Sequence, residues 1–354
     1  MKKTIFCLAA GVMALTACTS TDVVEEGIQG NAIGFQNYVS KESRALATDN
    51  LKFFSVYGYY VTENNNTPVI VFDGQEVTRT DVSSNKWTYN PARYWVPEAT
   101  YRFYAYSCEG MEFTSANGQA SLGSGADVTG RALRLRNVKC DGNHQHDLIF
   151  ATNDEGITGS GGDTNTNEPV AFKFKHILSK INVVFESGFP KGYTITVSNV
   201  KIKNFNDRGN YNPTSGWTKH QDADQNDAAV ISLAIANDAN TAAVATDNAE
   251  AKTVSTGIGY VIPYHYSDAD TSNDEAVGLE FHVVIKNANG DDVLTNTLTG
   301  SWYPNWVAGY SYTYKVKING DAAALYPIVF ETAQSVDDWT TGSTGSVTME
   351  FSAN

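Results

Sequence analysis

The stretch YRFYAYS, residues 101–107, alternates its side chains in the way that decides the fold. Its odd-numbered positions hold Tyr101, Phe103 and Ala105, and its even-numbered positions begin with Arg102 and continue with two tyrosines. Successive side chains of a strand point to opposite faces of a sheet, so a period of two in an aromatic stretch predicts a β-strand.

The same alternation recurs along the chain. It is present in VAFKFK (170–175), YTITVSNVKIKNF (193–205) and YSYTYKVKI (310–318). Stretches rich in Gly, Asn and Asp, such as NANGDD (287–292), separate these runs and predict turns. Because many short strands with turns between them are typical of β-sandwiches, we predict an all-β protein.

The length of the chain, 354 residues, allows two domains of ordinary size. The stretch EGITGSGGDTNTNE (155–168) is polar and rich in Gly, as a linker would be. We therefore predict one domain at 45–162 and a second at 163–354. The formal net charge of −14 argues against nucleic acid and anionic membrane surfaces as partners.

The N-terminus predicts export as a lipoprotein. Lys2 and Lys3 precede the apolar run TIFCLAAGVMAL, which is too short to span a membrane, so residues 1–17 predict a signal peptide. Cys18 follows Leu-Thr-Ala and resembles a lipobox cysteine, which receives an acyl chain such as palmitate. The alternative is an ordinary signal peptide with an incidental cysteine. The polar, acidic residues after Cys18 predict a tether.

Cys108 and Cys140 are the cysteines outside the signal peptide and the lipobox. In an oxidising compartment they could form a disulfide. A small buried free thiol is also common, and sequence alone gives no distance between the two residues. Both alternatives stay open at this point.

Motifs for catalysis or metal binding are missing or incomplete. The chain has no G-x-S-x-G, H-E-x-x-H or P-loop motif. His144 and His146 could lie on one side of a strand, but no third ligand is evident nearby. The acidic stretch DADTSNDE (268–275) lacks the glycine of a calcium-binding loop. We therefore predict no enzyme activity, no cofactor and no metal.

Five motifs in order resemble the fimbrillin family of Bacteroidales, which includes the type V pilins. The first half of the chain contains WTYNPARYWVPEATYRFYAYSC (87–108) and DLIFAT (147–152). The second half contains VAFKFKHILSKINVVF (170–185), WYPNWVAGYSYTYKVKI (302–318) and PIVFETAQSVDDW (327–339). This resemblance covers nearly the whole chain and implies two transthyretin-like β-sandwich domains in tandem.

The resemblance also implies assembly by strand exchange. In the polymerising members a protease cuts after an arginine, the first strand is removed, and a strand from a neighbouring subunit fills the groove. Here residues 18–44 would be the tether and the removable strand, with Ile33 and Phe35 on its apolar face. Cleavage between Arg44 and Ala45 would open a groove of unpaired backbone groups beside apolar surface.

The donor strand is predicted near residues 345–354. There Val347, Met349 and Phe351 alternate with polar residues, after the flexible stretch TTGSTGS (340–346). The alternative is an ordinary last strand that packs on its own domain.

Together these features predict a structural subunit of a cell-surface fimbria that acts by assembly and adhesion. Its partners would be copies of itself or related subunits, the outer membrane through a lipid anchor before cleavage, and surface ligands of host or bacterial cells. The alternative is a monomeric lipidated surface protein that binds a glycan or a host ligand. Trp302, Tyr303 and Trp306 could stack on a sugar, although such residues more often pack in a core.

Overall fold

A computed structural model of the chain describes most of the residues after the predicted tether. The described residues are 32–39, 51–79, 87–108, 113, 117–125, 128–159, 169–189, 192–220, 229–235, 241–245, 254–266, 276–319, 328–332, 340–341, 346–349 and 352–353. This part of the chain is almost entirely β, which confirms the predicted fold class, and it contains one four-residue helix, α1 (Val128–Arg131).

The described residues form 23 strands. They are β1 (Phe35–Val39), β2 (Phe53–Thr62), β3 (Asn65–Thr78), β4 (Thr100–Cys108), β5 (Gln119–Leu122), β6 (Leu133–Lys139), β7 (Leu148–Thr158), β8 (Val170–His176), β9 (Ser179–Gly188), β10 (Thr194–Lys203), β11 (Arg208–Asn212), β12 (Gly216–Lys219), β13 (Val230–Ser232), β14 (Thr241–Ala245), β15 (Val254–Ser255), β16 (Gly259–Val261), β17 (Val277–Lys286), β18 (Asp292–Trp302), β19 (Tyr310–Asn319), β20 (Ile328–Thr332), β21 (Thr340–Thr341), β22 (Ser346–Met349) and β23 (Ser352–Ala353).

A six-stranded sheet in the order β1-β8-β7-β4-β2-β3 organises the first half of the chain. Its strand β4 contains the YRFYAYS stretch, and Tyr101, Phe103 and Ala105 point to one face, as the alternation predicts. These side chains belong to a buried cluster, the aromatic core, which also includes Ile33, Phe35, Leu51, Phe54, Val56, Phe72, Val77, Trp87, Trp95, Ala99, Ile149, Ala151, Val170, Phe172 and Phe174.

The other face of β4 is buried as well. Tyr104 and Tyr106 contact a second cluster, the middle core, with Tyr57, Tyr59, Cys108, Ala132, Leu133, Leu135, Val138, Cys140, Leu148, Phe150, Ile177, Leu178 and Ile262. A four-stranded sheet in the order β12-β11-β6-β5 covers this cluster. The six-stranded sheet is therefore covered on both faces, which is why its central strands are aromatic at odd and even positions alike.

Two sheets in the second half pack face to face. One has the order β13-β10-β17-β18-β23, with β14 paired to β10, and the other has the order β15-β9-β19-β20-β22, with β16 on β9 and β21 on β19. Inward side chains of β9, β10, β17 and β19 alternate with outward ones and form the sandwich core. This third cluster lies within residues 181–318 and includes Phe185, Ile195, Phe281, Trp302 and Tyr314.

The sheets divide the strands differently from the predicted domains 45–162 and 163–354. Strand β8 follows residue 163 but pairs with β7 and β1 in the six-stranded sheet. Strands β11 and β12 also follow it, yet β11 pairs with β6. Pairing between distant backbone segments is decided by long-range packing. The flexible composition of 155–168 therefore does not coincide with the point in the chain where the strands pass from one group of sheets to the other. The domain boundaries themselves stay a prediction.

The helix found in the described residues is far too short to cross a bilayer, and no other helix there is long and apolar enough to do so.

Candidate functional site

The strand β1 lies at the edge of the six-stranded sheet, in a groove that the rest of the first half forms. It pairs in parallel with β8, with Phe35 opposite Val170 and Val39 opposite Phe174. Among the described strands β8 is the only one in a ladder with β1. On the other side a single antiparallel bridge joins Ala32 to Tyr94. The groove therefore holds an extended segment mainly by one row of hydrogen bonds.

Two side chains fix β1 in the aromatic core. Ile33 is 1% exposed and Phe35 is 4% exposed, so both apolar side chains are buried. The Phe35 ring stacks on Phe172 at 5.8 Å between centroids and meets Phe72 edge-on at 5.3 Å. It also contacts the rings of Phe54, Tyr89 and Phe103. Phe35 therefore fills a pocket lined by five aromatic rings, each from a later part of the chain.

Backbone hydrogen bonds set the register of β1. The amide of Ile33 donates to the carbonyl of Arg93 at 2.8 Å, and the amide of Val170 donates to the carbonyl of Gly34 at 2.8 Å. The Tyr89 hydroxyl donates to the carbonyl of Ile33 at 2.7 Å. Burial raises the pKa of Tyr89, so this hydroxyl stays a protonated donor at neutral pH.

The groove beside β8 can bind an extended segment of polypeptide by strand addition. A segment inserted beside β8 gains main-chain hydrogen bonds, and residues at alternate positions enter the apolar pockets that Ile33 and Phe35 occupy. Without such a segment, the edge of β8 would present unpaired N–H and C=O groups beside exposed aromatic rings, which is a strong template for strand addition. The groove itself is made from residues 51–174, so it does not depend on the covalent link to β1.

The C-terminal segment lies at the edges of both sheets around the sandwich core. Strand β22 pairs antiparallel with β20, which brings Val347 opposite Phe330 and Met349 opposite Ile328. Strand β23 pairs with β18 at Leu298 and Thr299. In this structure the backbone of the predicted donor is therefore paired within its own half of the chain, as the alternative for this segment expects.

Several predicted site residues fall outside the described residues. These are Cys18, Arg44, Ala45 and Phe351, and the side chains of Val347 and Met349. The lipid attachment, the cleavage site and the donor strand therefore stay predictions.

Cys108 and Cys140 are both free and buried in the middle core. The disulfide that the sequence left open is not formed in this structure. Burial raises the pKa of both thiols, which keeps them protonated and unreactive at neutral pH. They therefore act as small apolar side chains of the core.

The His144–His146 stretch forms hydrogen bonds that stabilise the fold, which the sequence did not indicate. His144 Nδ1 lies 2.6 Å from Asp141 Oδ1 within a turn. Between the two histidines, the amide of Gln145 donates to the carbonyl of Tyr260 at 3.1 Å and accepts from its N–H at 2.7 Å. This reciprocal pair ties the loop before β7 to β16. No cluster of three metal-binding side chains occurs among the residues described.

The aromatic residues considered for sugar stacking do not form one exposed platform. Trp302 and Trp306 are buried in the sandwich core, and the Trp306 indole donates to the Tyr314 hydroxyl at 2.8 Å. Only Tyr303 of the three is exposed. The two tryptophans therefore pack in the core, as such residues more often do.

The chain was compared with known protein families and with solved structures. The model of a family described as fimbrillin-like matches residues 43–339. None of the curated proteins compared with the chain matches it significantly.

Similar solved structures come from Bacteroides and Porphyromonas species. A candidate cell adhesion protein of Bacteroides uniformis is 16% identical, with 87% of this chain and 98% of that chain covered and a TM-score of 0.42. One of Bacteroides ovatus is 17% identical, with 88% and 98% covered and a TM-score of 0.46. The fimbrial anchor protein Mfa2 of Porphyromonas gingivalis is 10% identical, with 87% and 97% covered and a TM-score of 0.34. At these identities and TM-scores none of the three decides the function of this chain.

Proposed function

We propose that this chain, which belongs to the fimbrillin-like family, is a polymerising structural subunit of a cell-surface fimbria. Membership of the family gives the protein a fimbrial role and the association with other fimbrial subunits that such a role requires, and it places the chain outside the enzyme families. The finer steps proposed below are export as a lipoprotein through Cys18, cleavage after Arg44 and assembly by strand exchange.

The observation that carries the proposal is the position of β1. It is an edge strand, and the buried side chains of Phe35 on β1 and of Ile33 two residues before it come from before the predicted cleavage site, while the groove comes from after it. Cutting between Arg44 and Ala45 would separate β1 from the groove without breaking any later strand. The lipid on Cys18 would leave together with β1.

A donor must then supply the same spacing of apolar side chains. The segment from Val347 to Phe351 has apolar residues at alternate positions, as β1 has at Ile33 and Phe35. Its strands β22 and β23 pair only short stretches at the outer edges of two sheets, so few hydrogen bonds have to break for it to leave. Refilling the groove of a neighbour restores main-chain bonds and buries the vacated rings.

The experiment compares Arg44→Ala with a control at another basic residue of the same stretch of sequence, Lys41→Ala. Protein is recovered from the cell surface, its N-terminus and mass are determined, and it is run unheated on a denaturing gel. We expect the wild type and Lys41→Ala to begin at Ala45 and to give a ladder of resistant multimers. Arg44→Ala should keep its N-terminal segment and its lipid and give no ladder.

Two results would contradict the proposal. One is a ladder from Arg44→Ala equal to that of the wild type. The other is wild-type protein that begins at acylated Cys18 and runs as a monomer, which would favour a lipidated surface protein that does not polymerise.

A further inference from the structure

The four-stranded sheet has an open outer face that is polar and concave. Its inner face covers the middle core, and its outer face lines a cleft of about 590 Å³. We call this the Arg136 cleft; its main lining residues are Gln119, Arg134, Arg136, Asn210, Asn212 and Thr218. The lining comes from β5, β6, β11 and β12, so all four strands of the sheet contribute to it.

A β-bulge accounts for the concave shape. Gly209 lies opposite Val138 and Tyr211 opposite Leu135, so two residues of β6, Arg136 and Asn137, share one position of β11. Asn137 adopts a φ of +51°, which asparagine tolerates better than most residues. Its N–H donates to the side-chain oxygen of Asn210 at 2.9 Å. Such a bulge bends its strand and increases the local twist, which curves the sheet.

The bulge also aligns polar groups across the sheet. Gln119 is the cross-strand partner of Arg136, and Thr218 is the partner of Asn210. The amides and the hydroxyl of this row both donate and accept hydrogen bonds, as the hydroxyls of a sugar require. Asn137 Oδ1, which also lines the cleft, is a buried acceptor without a hydrogen-bond partner in the structure.

The charge of the cleft is opposite to that of the whole protein. Arg134 and Arg136 stand two positions apart on the outer face of β6, and the described lining residues include no carboxylate. Neither arginine forms an ion pair within the described part of the chain, although the formal net charge of the protein is −14. Arg134 Nη2 already donates to the carbonyl of Gly130 at 3.4 Å. The exposed guanidinium of Arg136 can therefore bind a carboxylate or sulfate through parallel N–H donors, and Arg134 adds positive charge beside it.

We propose that the Arg136 cleft binds an acidic oligosaccharide, with its anionic group against Arg134 and Arg136 and its hydroxyls against the amides beside them. The acidic charge of the rest of the chain opposes nucleic acid, whose affinity depends on many phosphate contacts. The cleft lies apart from β1 and from both C-terminal edge strands in the sheet order, so binding does not require polymerisation. It would give a fimbrial subunit a ligand of its own.

The test measures binding by titration calorimetry with the full-length, uncleaved chain as a monomer. The probes are a hexamer of galacturonic acid, isomaltohexaose, and the sulfated form of isomaltohexaose. We expect one or both anionic probes to bind, and added salt to weaken binding through screening. The neutral hexamer should bind at least about tenfold more weakly. Binding of only one anionic probe identifies the anionic group as carboxylate or sulfate.

The variant Arg136→Gln removes an exposed charge of the cleft and keeps a polar side chain. We expect it to weaken binding of the anionic probe by about tenfold to a hundredfold, as loss of a charge-assisted hydrogen bond does. The matched control is Arg102→Gln on β4, outside the cleft, which should bind like the wild type.

Equal binding of neutral and anionic probes, no binding of either anionic probe, or unchanged binding by Arg136→Gln would each overturn the proposal. Because a monomer is used, these results are independent of whether the Arg44 variant blocks assembly.

Discussion

The aromatic core and the sandwich core differ in where their residues come from. The aromatic core takes Ile33 and Phe35 from before the proposed cleavage site and its other side chains from residues 51–174. The buried residues described in the sandwich core all come from 181–318, within the proposed mature chain. The first core is thus completed by a segment that the proposed cleavage would remove, whereas no residue described in the second core comes from that segment.

The side chains of the two cores reflect this difference. Around Phe35 the aromatic core presents five separate ring contacts, which form a preformed pocket for one large residue. The sandwich core is dominated by β-branched and aliphatic residues on β9, β10 and β17, which interdigitate between two sheets. A pocket lined with rings can accept an apolar side chain from another strand, whereas an interdigitated sandwich cannot lose one of its central strands without opening both sheets.

The largest expected effect comes from emptying one phenylalanine site in each core. Phe281→Ala in the sandwich core should lower the free energy of unfolding by about 3–5 kcal/mol. Phe35→Ala should lower the free energy of unfolding by an amount near the lower end of that range, because an edge strand can shift into part of the cavity. Amide hydrogen exchange, resolved by core, measures both.

The same experiment on a chain that starts at Ala45 sharpens the comparison. In that shorter chain, Phe281→Ala should lower the free energy of unfolding by the same amount as in the full chain, within about 0.5 kcal/mol, as expected for independent sites. A larger difference would show that the two cores are coupled and that losing β1 affects both.

A smaller effect is expected from one hydroxyl in each core. Tyr89→Phe removes the donor to the carbonyl of Ile33 and should destabilise β1 by about 0.5–1.5 kcal/mol. The control is Tyr312→Phe, because the Tyr312 hydroxyl accepts from the amide of Val307 at 2.9 Å on the sandwich side. Faster exchange of the Ile33 and Val170 amides in Tyr89→Phe alone is the expected result. Equal acceleration in both variants would mean that β1 responds to general destabilisation.

The smallest effect concerns pH and the outer face of the sandwich. The hydrogen bond from Lys203, with Lys201 beside it, lowers the pKa of Glu280. A lowered folded-state pKa gives stability that is present above the unfolded pKa, about 4.3, and is lost as the pH falls through the folded value. Glu280→Gln should therefore make stability less dependent on pH below that point, by less than about 1 kcal/mol.

Asp292→Asn, at the exposed pair with Lys286, is the control for this pH prediction. Thermal unfolding between pH 3 and pH 7 checks both variants. If the stability of Glu280→Gln falls with decreasing pH as steeply as that of the wild type, the Lys203 contact does not contribute to stability in acid.

The proposed site was partly readable from the sequence. The alternation in AIGFQNYV placed Ile33 and Phe35 on one apolar face, and both are buried as predicted. The ring pocket around Phe35 was not readable, because its members come from five separate stretches of the chain. The Arg136 cleft was missed for a similar reason: its strands β6 and β11 pair residues that are at least 69 positions apart, and the asparagine pair that shapes it gives no local signal.

The sequence by itself determined that the alternating stretches become strands and which of their side chains share a face, because both follow from the local period of two. It also determined the acidic charge and the resemblance that the family match later confirmed. Only the tertiary structure decided which sheet each strand joins. The hydrogen bonds between strands use the same backbone groups everywhere, so β8 and β11 are assigned to their sheets by packing with distant residues. Tertiary packing also decided that both faces of β4 are buried, since the strands that cover its second face lie far away in the chain.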